Sequence, residues 1–271
     1  MSATAVLNRL SKRFSDLRAA NRAGLVIYTM AGDPDHDTAL AIMKGLPQAG
    51  ADIIELGMPF SDPMADGPAI QLAAQRSLAA GGSLSRTLDT LRSFRKEDRE
   101  TPVVLMGYYN PIHALGPATF AAQASAAGAD GVIVVDLPPE EAPELTVHLA
   151  EHGIHLIFLT APTTDAARLP TVLEQAGGFL YYVSITGVTG TASADEKAVE
   201  AAVKRLRAHT DLPIAVGFGI NTPAQAAAIA RVSDAAVVGS AVVKRIAEGQ
   251  GPDPVLAFVR ELADGVRSAR K

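Results

Sequence analysis

The sequence predicts an α/β protein of the (β/α)8 barrel class, and three observations carry that prediction. Eight short apolar runs alternate with helical patterns along 271 residues. The runs are continuously apolar, as strands are when a parallel sheet is covered on both faces. The length suits one barrel, which typically takes about 250 residues. An open doubly wound sheet is the competing arrangement. No Gly-x-Gly-x-x-Gly follows the first strand, however, so its dinucleotide-binding form loses support. Residues 1–271 are read as a single barrel domain with extra helices, one of them at the N-terminus.

Between Met1 and Asn21, residues Val6, Leu7, Leu10, Phe14 and Leu17 recur at helical spacing. The first strand is Gly24 to Met30, and Asp37 to Gln48 reads as a helix. Gly50-Ala51-Asp52 returns the chain to a second strand, Asp52 to Leu56. Helices follow over Pro68 to Ala80 and from Ser83, with Leu84, Leu88, Leu91 and Phe94 on one face. The charge run Arg95 to Glu100 reads as a solvated helix end. The third strand is Pro102 to Met106, and a helix spans Phe120 to Ala127. Gly128-Ala129-Asp130 then repeats the earlier return motif. The remaining strands are Gly131 to Val135, His155 to Leu159, Phe179 to Val183, Pro213 to Val216 and Ala235 to Val238. Helices are read over Glu140 to His152, Asp165 to Gln175, Asp195 to His209 and Thr222 to Ala230, and two more end the chain.

Composition narrows the function. Net charge is −5, with Lys+Arg 24 against Asp+Glu 29 and no basic run, which argues against a nucleic-acid partner. There is no cysteine, so disulfides, thiolate metal sites and cysteine nucleophiles are excluded. His36, His113, His148, His152, His155 and His209 are scattered without metal-ligand spacing, and no metal is expected. No apolar run approaches the roughly 18 residues of a membrane span. The N-terminal helix pattern also lacks the continuous apolar centre of a secretory signal, so the cytoplasm is the default.

In a barrel, chemistry gathers at the C-terminal ends of the strands. The stretch Glu55 to Pro68 joins the end of the second strand to a loop rich in Pro, Gly, Ser and Asp. A carboxylate at Glu55, where the dielectric falls and substrate still enters, favours a raised pKa and acid–base work. Asp66 either faces a ligand from the loop or caps the helix beginning at Pro68. Three late loops are glycine-rich: Thr186 to Gly190, Gly217 to Ile220, and Gly239-Ser240. Barrels often hold phosphate after strands seven and eight, and Gly239-Ser240 directly precedes a helix whose amides and dipole suit an anion. The three loops together are therefore a candidate phosphate site. Tyr28, Tyr108, Tyr181 and Phe218 lie on the rim side, either as core packing or as the wall of an apolar-ringed substrate.

The stretch Glu55-Leu56-Gly57-x-Pro59-Phe60-Ser61-Asp62-Pro63-x-Ala65-Asp66-Gly67-Pro68 resembles the signature of the tryptophan synthase alpha subunit family. Gly32-Asp33-Pro34, Met106 to Pro111 and the three glycine loops match that family in order. The resemblance spans essentially the whole chain, with Tyr28 standing where Phe is expected. It implies a TIM barrel and a lyase of tryptophan biosynthesis, cleaving indole-3-glycerol phosphate to indole and glyceraldehyde 3-phosphate. It implies Glu55 as the acid that protonates indole C3 and Asp66 as the group holding the indole N–H. Gly190, Gly219, Gly239 and Ser240 would hold the phosphate. Tyr28, Met106 and Phe218 would line the indole pocket, with Tyr108 beside it and Tyr181 near the glycerol. No cofactor is implied in this chain. Pyridoxal phosphate is expected in a partner beta subunit, in an alpha2beta2 assembly met by the loops holding Pro59, Asp62 and Asn110. A stand-alone lyase of the same chemistry and another phosphate-binding barrel, such as a sugar-phosphate isomerase, are the alternatives. The isomerase should lack the two carboxylates of the second loop.

Overall fold

A computed structural model of the chain describes residues 7–183 and 192–270, with the backbone alone for 192–195. The whole Thr186 to Gly190 loop, Gly190 included, lies outside the described residues. Eight parallel strands close in sequence order into one barrel. They are β1 (Gly24–Met30), β2 (Ile53–Gly57), β3 (Val103–Gly107), β4 (Gly131–Val134), β5 (His155–Thr160), β6 (Leu180–Val183), β7 (Ile214–Gly217) and β8 (Ala235–Val238).

Period two along each strand divides the apolar residues between two cores. Val26, Ile53, Val104, Ile133, Ile157, Ala215 and Ala235 fill the barrel interior. Their chain neighbours Leu25, Ile27, Ile54, Leu56, Val103 and Leu105 face the surrounding helices. Both faces of the sheet are therefore dry, which is why the runs looked unbroken.

The helix α1 (Arg9–Ala19) closes the N-terminal end. Asn8 caps it by accepting from the amides of Leu10 and Ser11. Leu10, Phe14 and Leu17 face into the barrel, and the Phe14 ring meets Phe179 at 5.6 Å. Leu7, expected on that face, is 88% exposed one residue before the cap. The repeated Gly-Ala-Asp returns also lie at this end. Gly50 and Gly128 end their helices in the left-handed conformation, at φ 104° and 95°. The following aspartates clamp the preceding strand. The Asp52 carboxylate accepts from the Leu25 amide at 2.9 Å while its own amide donates to the Leu25 carbonyl at 2.8 Å. Asp130 does the same with Val103 and Asp234 with Ile214.

The remaining helices follow the predicted order with shifted ends. They are α2 (His36–Ala49), α3 (Pro68–Ala79), α4 (Leu84–Arg95), α6 (Pro117–Ala127), α7 (Pro143–Glu151), α8 (Leu169–Gln175), α9 (Ala192–Arg207), α10 (Pro223–Val232), α11 (Ser240–Ala247) and α12 (Pro252–Ser268). α7 and α8 start later than expected because proline takes a first-turn position in each. The unpredicted α5 (Tyr109–Leu115) accommodates Pro111 in its first turn, where a missing amide proton costs nothing. The charge run after α4 is only partly solvated. Arg95 turns inward, donating to Asp130 Oδ2 at 3.0 Å and to the Thr101 carbonyl at 2.7 Å.

Candidate active site

Glu55 sits deeper than the sequence placed it. It is the third of five residues in β2, above Ile53 on the inward-facing set, in register with Tyr28 of β1 and Val104 of β3. The side chain is only 1% exposed, and its Oε1 has no hydrogen-bond partner among the described residues. Burial pushes its carboxyl up to about 8, and the nearby Asp66 charge adds to the rise. A carboxylic acid here therefore keeps its proton at neutral pH.

Asp66 reaches the same cavity from the loop. The capping alternative does not occur: Gly67 is the N-cap of α3, with no side-chain cap hydrogen bond. The Asp66 carboxylate instead accepts from the Tyr108 hydroxyl at 3.2 Å, and that hydroxyl accepts from the Ala65 amide at 2.9 Å. Partial burial raises the Asp66 pKa, opposed by the Tyr108 hydrogen bond. The far end of α3 is pinned. Arg76 donates to both Asp33 oxygens at 2.7 and 2.9 Å, and the Ser77 hydroxyl donates to the Ala31 carbonyl at 2.6 Å. The loop carrying Asp66 thus enters a helix anchored to the rim of β1.

Two glycines make room for two tyrosines. A side chain at Gly57 would collide with the Tyr28 hydroxyl, and one at Gly217 with the Tyr181 hydroxyl. Both phenols enter the cavity. Burial, reinforced by Glu55 and Asp66, pushes both well above their usual value, so both remain protonated donors.

The cavity holds about 140 Å³ and brings together Tyr28, Glu55, Asp66, Met106, Tyr181, Gly219, Gly239 and Ser240. Tyr108 borders a smaller adjoining hollow with Met30, Met58 and Asp66, its ring 5.3 Å from that of Phe60. Phe218 is placed elsewhere. It follows the inward Gly217, so alternation turns it outward against the helix-side core. The wall is completed instead by Ile70, Ile220 and Val237, which sequence reasoning missed. Period two gave a signal for Val237, two residues before Gly239. Ile220 stood in a loop already singled out, and nothing local marked Ile70.

At the late-strand side, Gly219 has φ +61° and open space around its α-carbon. Gly239 is the N-cap of α11. The amides of Val242 and Val243 turn back to the Gly239 carbonyl, which leaves those of Ser240 and Ala241 without intrahelical acceptors. No lysine or arginine is among the described residues lining this cavity. An anion here would meet amides, a hydroxyl and a helix dipole.

Fold and cavity together define a (β/α)8 barrel equipped for acid–base chemistry at the C-terminal rim of its strands. The chain belongs to the tryptophan synthase alpha chain family, whose model matches residues 14–269. It is 40% identical to the tryptophan synthase alpha subunit of Legionella pneumophila str. Paris, with TM-score 0.89 and coverage of 96% of this chain and 98% of that one. It is 37% identical to a chain in the open form of tryptophan synthase from M. tuberculosis with BRD0059 bound, with TM-score 0.88 and coverage of 97% and 100%. A further Mycobacterium tuberculosis tryptophan synthase structure matches at 39% identity and TM-score 0.88, covering 97% and 99%. The chain is accordingly an enzyme subunit of tryptophan biosynthesis with a beta-subunit partner. Members of the family carry no cofactor, pyridoxal phosphate being held by the beta subunit.

Proposed function

We propose that the chain is a carbon–carbon lyase that cleaves indole-3-glycerol phosphate to indole and glyceraldehyde 3-phosphate. The observation that carries this reading is the buried Glu55 carboxyl, whose Oε1 has no partner among the described residues and whose pKa is pushed up to about 8. Breaking the bond at indole C3 first needs a proton on that carbon, and Glu55 holds one at neutral pH. Protonation makes an indolenine cation that accepts the electrons of the breaking bond. The adjacent glycerol hydroxyl loses its proton to a base, either the Glu55 carboxylate just formed or a water. That carbon becomes the aldehyde, and the returning electrons restore the indole. Asp66 holds the indole N–H and stabilises the growing positive charge. Tyr181 positions the glycerol part, and Tyr28 and Met106 line the ring pocket. Gly219, Gly239 and Ser240 hold the phosphate together with Gly190.

The partner would dock on the loops after β2 and β3, at Pro59, Asp62 and Asn110. Met64, 76% exposed, and Leu115, 36% exposed, add apolar surface there. The expected assembly is alpha2beta2, in the cytoplasm. The test is indole release from indole-3-glycerol phosphate by the purified chain, alone and with a beta subunit. Glu55→Gln should abolish turnover while leaving substrate binding largely intact, because an amide has no acidic proton to give C3. A mutant retaining most of its kcat removes Glu55 from the role of acid.

A further inference from the structure

A cavity roomier than the one at the strand C-termini lies elsewhere in the molecule. It lies at the opposite end, between α1, the α9–β7 connection and the end of α12, and holds about 430 Å³. That is within the range of small-molecule sites. Its charged lining is Arg18, Arg22, Arg207, Arg270, Asp211 and Asp234.

The two carboxylates do not neutralise the four guanidinium groups. Arg22 is satisfied from outside the cavity by Asp52, at 2.6 and 2.8 Å. Asp234 is shared between Arg207 at 3.0 Å and the Ile214 amide at 2.9 Å. Among the described residues Arg270 donates to neutral acceptors, the carbonyl oxygens of Ala230 and Ser233. Arg18, exposed in the last turn of α1, has no ion-pair partner among the described residues. Burial pulls the Arg270 guanidinium below its usual value; Asp234 opposes that, and repulsion from Arg207 adds to it. Among the described residues the cavity is roomy and its guanidinium groups are under-neutralised. Guanidinium groups of this kind recognise phosphate and carboxylate oxygens through paired N–H donors.

We propose that this basal cavity is a second ligand site that binds a small polyanion bearing phosphate or carboxylate groups, with Arg18, Arg207 and Arg270 as its cationic contacts. The site is independent of the lyase reading, since none of its residues borders the rim cavity.

The test is calorimetric titration of the full chain and of Arg18→Glu with pyrophosphate and, separately, with citrate. Binding at the opposite rim is common to both chains, so their difference reads the basal cavity. Arg18→Glu replaces an exposed helical residue and is expected to melt like the parent and keep its indole-releasing rate. It should weaken binding at one site by about tenfold or more through reversal of one charge. Loss confined to pyrophosphate supports a phosphate ligand, and loss confined to citrate supports a carboxylate one. Identical isotherms for the two chains, or no heat with either probe, overturn the proposal.

Discussion

Buried and half-buried carboxylates stand at both ends of this barrel, in different circumstances. At the N-terminal end, Asp52, Asp130 and Asp234 each accept a strand amide and each face arginine. At the C-terminal end, Glu55 is as buried as Asp130, both 1% exposed, yet one of its oxygens has no partner among the described residues. Asp66 has only a tyrosine hydroxyl. Desolvation acts on both sets, but each lower carboxylate receives a strand amide and an arginine, whereas Asp66 receives a single hydroxyl and Glu55 Oε1 has no partner among the described residues. The lower carboxylates therefore clamp strands together, and in the function proposed above the upper ones keep a proton and a charge available at a cost in stability. The same residue types on one scaffold divide into structure and chemistry by what their neighbours donate.

That division is open to test, beginning with its largest consequence. Glu55 carries a folded-state pKa near 8 against an ordinary 4.5, so the native state binds the extra proton between those values. Stability from this group is present below about pH 4.5 and is lost as pH rises through about 8. Glu55→Gln, besides losing turnover, should match the wild type in melting temperature near pH 4.5 and exceed it by several degrees above pH 8. Wild-type kcat should also fall above about pH 8 as the acid form disappears. Parallel melting curves across that range would contradict an uncompensated Glu55.

Asp66→Asn should lower kcat by about 10²–10³, with a smaller effect on substrate affinity. The amide oxygen still accepts the indole N–H, but the full charge facing the cationic ring is gone. Thermal melts should change little. A wild-type rate would return Asp66 to a structural role.

The reverse pattern is expected below. Asp130→Asn leaves Arg9 and Arg95 facing a neutral group and should cost about 3 kcal/mol of stability, with kcat nearly unchanged at temperatures where the chain stays folded. Denaturant titration beside an activity assay reads both, and a kcat loss matching that of Asp66→Asn would erase the distinction between the two ends. The smallest effect is expected for Tyr108→Phe. Removing a single hydrogen bond to Asp66 should reduce kcat by about fivefold and raise the apparent Asp66 pKa. An unaltered pH–rate profile would show that Tyr108 does not position that carboxylate.

The sequence alone determined the class of fold, the order of its strands and the positions of the two rim carboxylates. Those signals are local: apolar runs, glycine and proline punctuation, and one unusually dense loop. Tertiary structure decided which way each side chain faces. One residue of register separates the inward Gly217 from the outward Phe218, and no property of phenylalanine itself reveals that. The depth of Glu55 was hidden for the same reason, since a strand boundary moved by a residue turns a rim acid into a buried one. The charge run at Arg95 to Glu100 looked solvated because Asp130, its partner, is distant along the chain and meets it only when the barrel closes. Ile70 joined the cavity wall because Arg76 and Ser77 pin its helix to the rim of β1. Pairing, facing and burial depend on what lies across the barrel, and only the closed barrel brings those partners together.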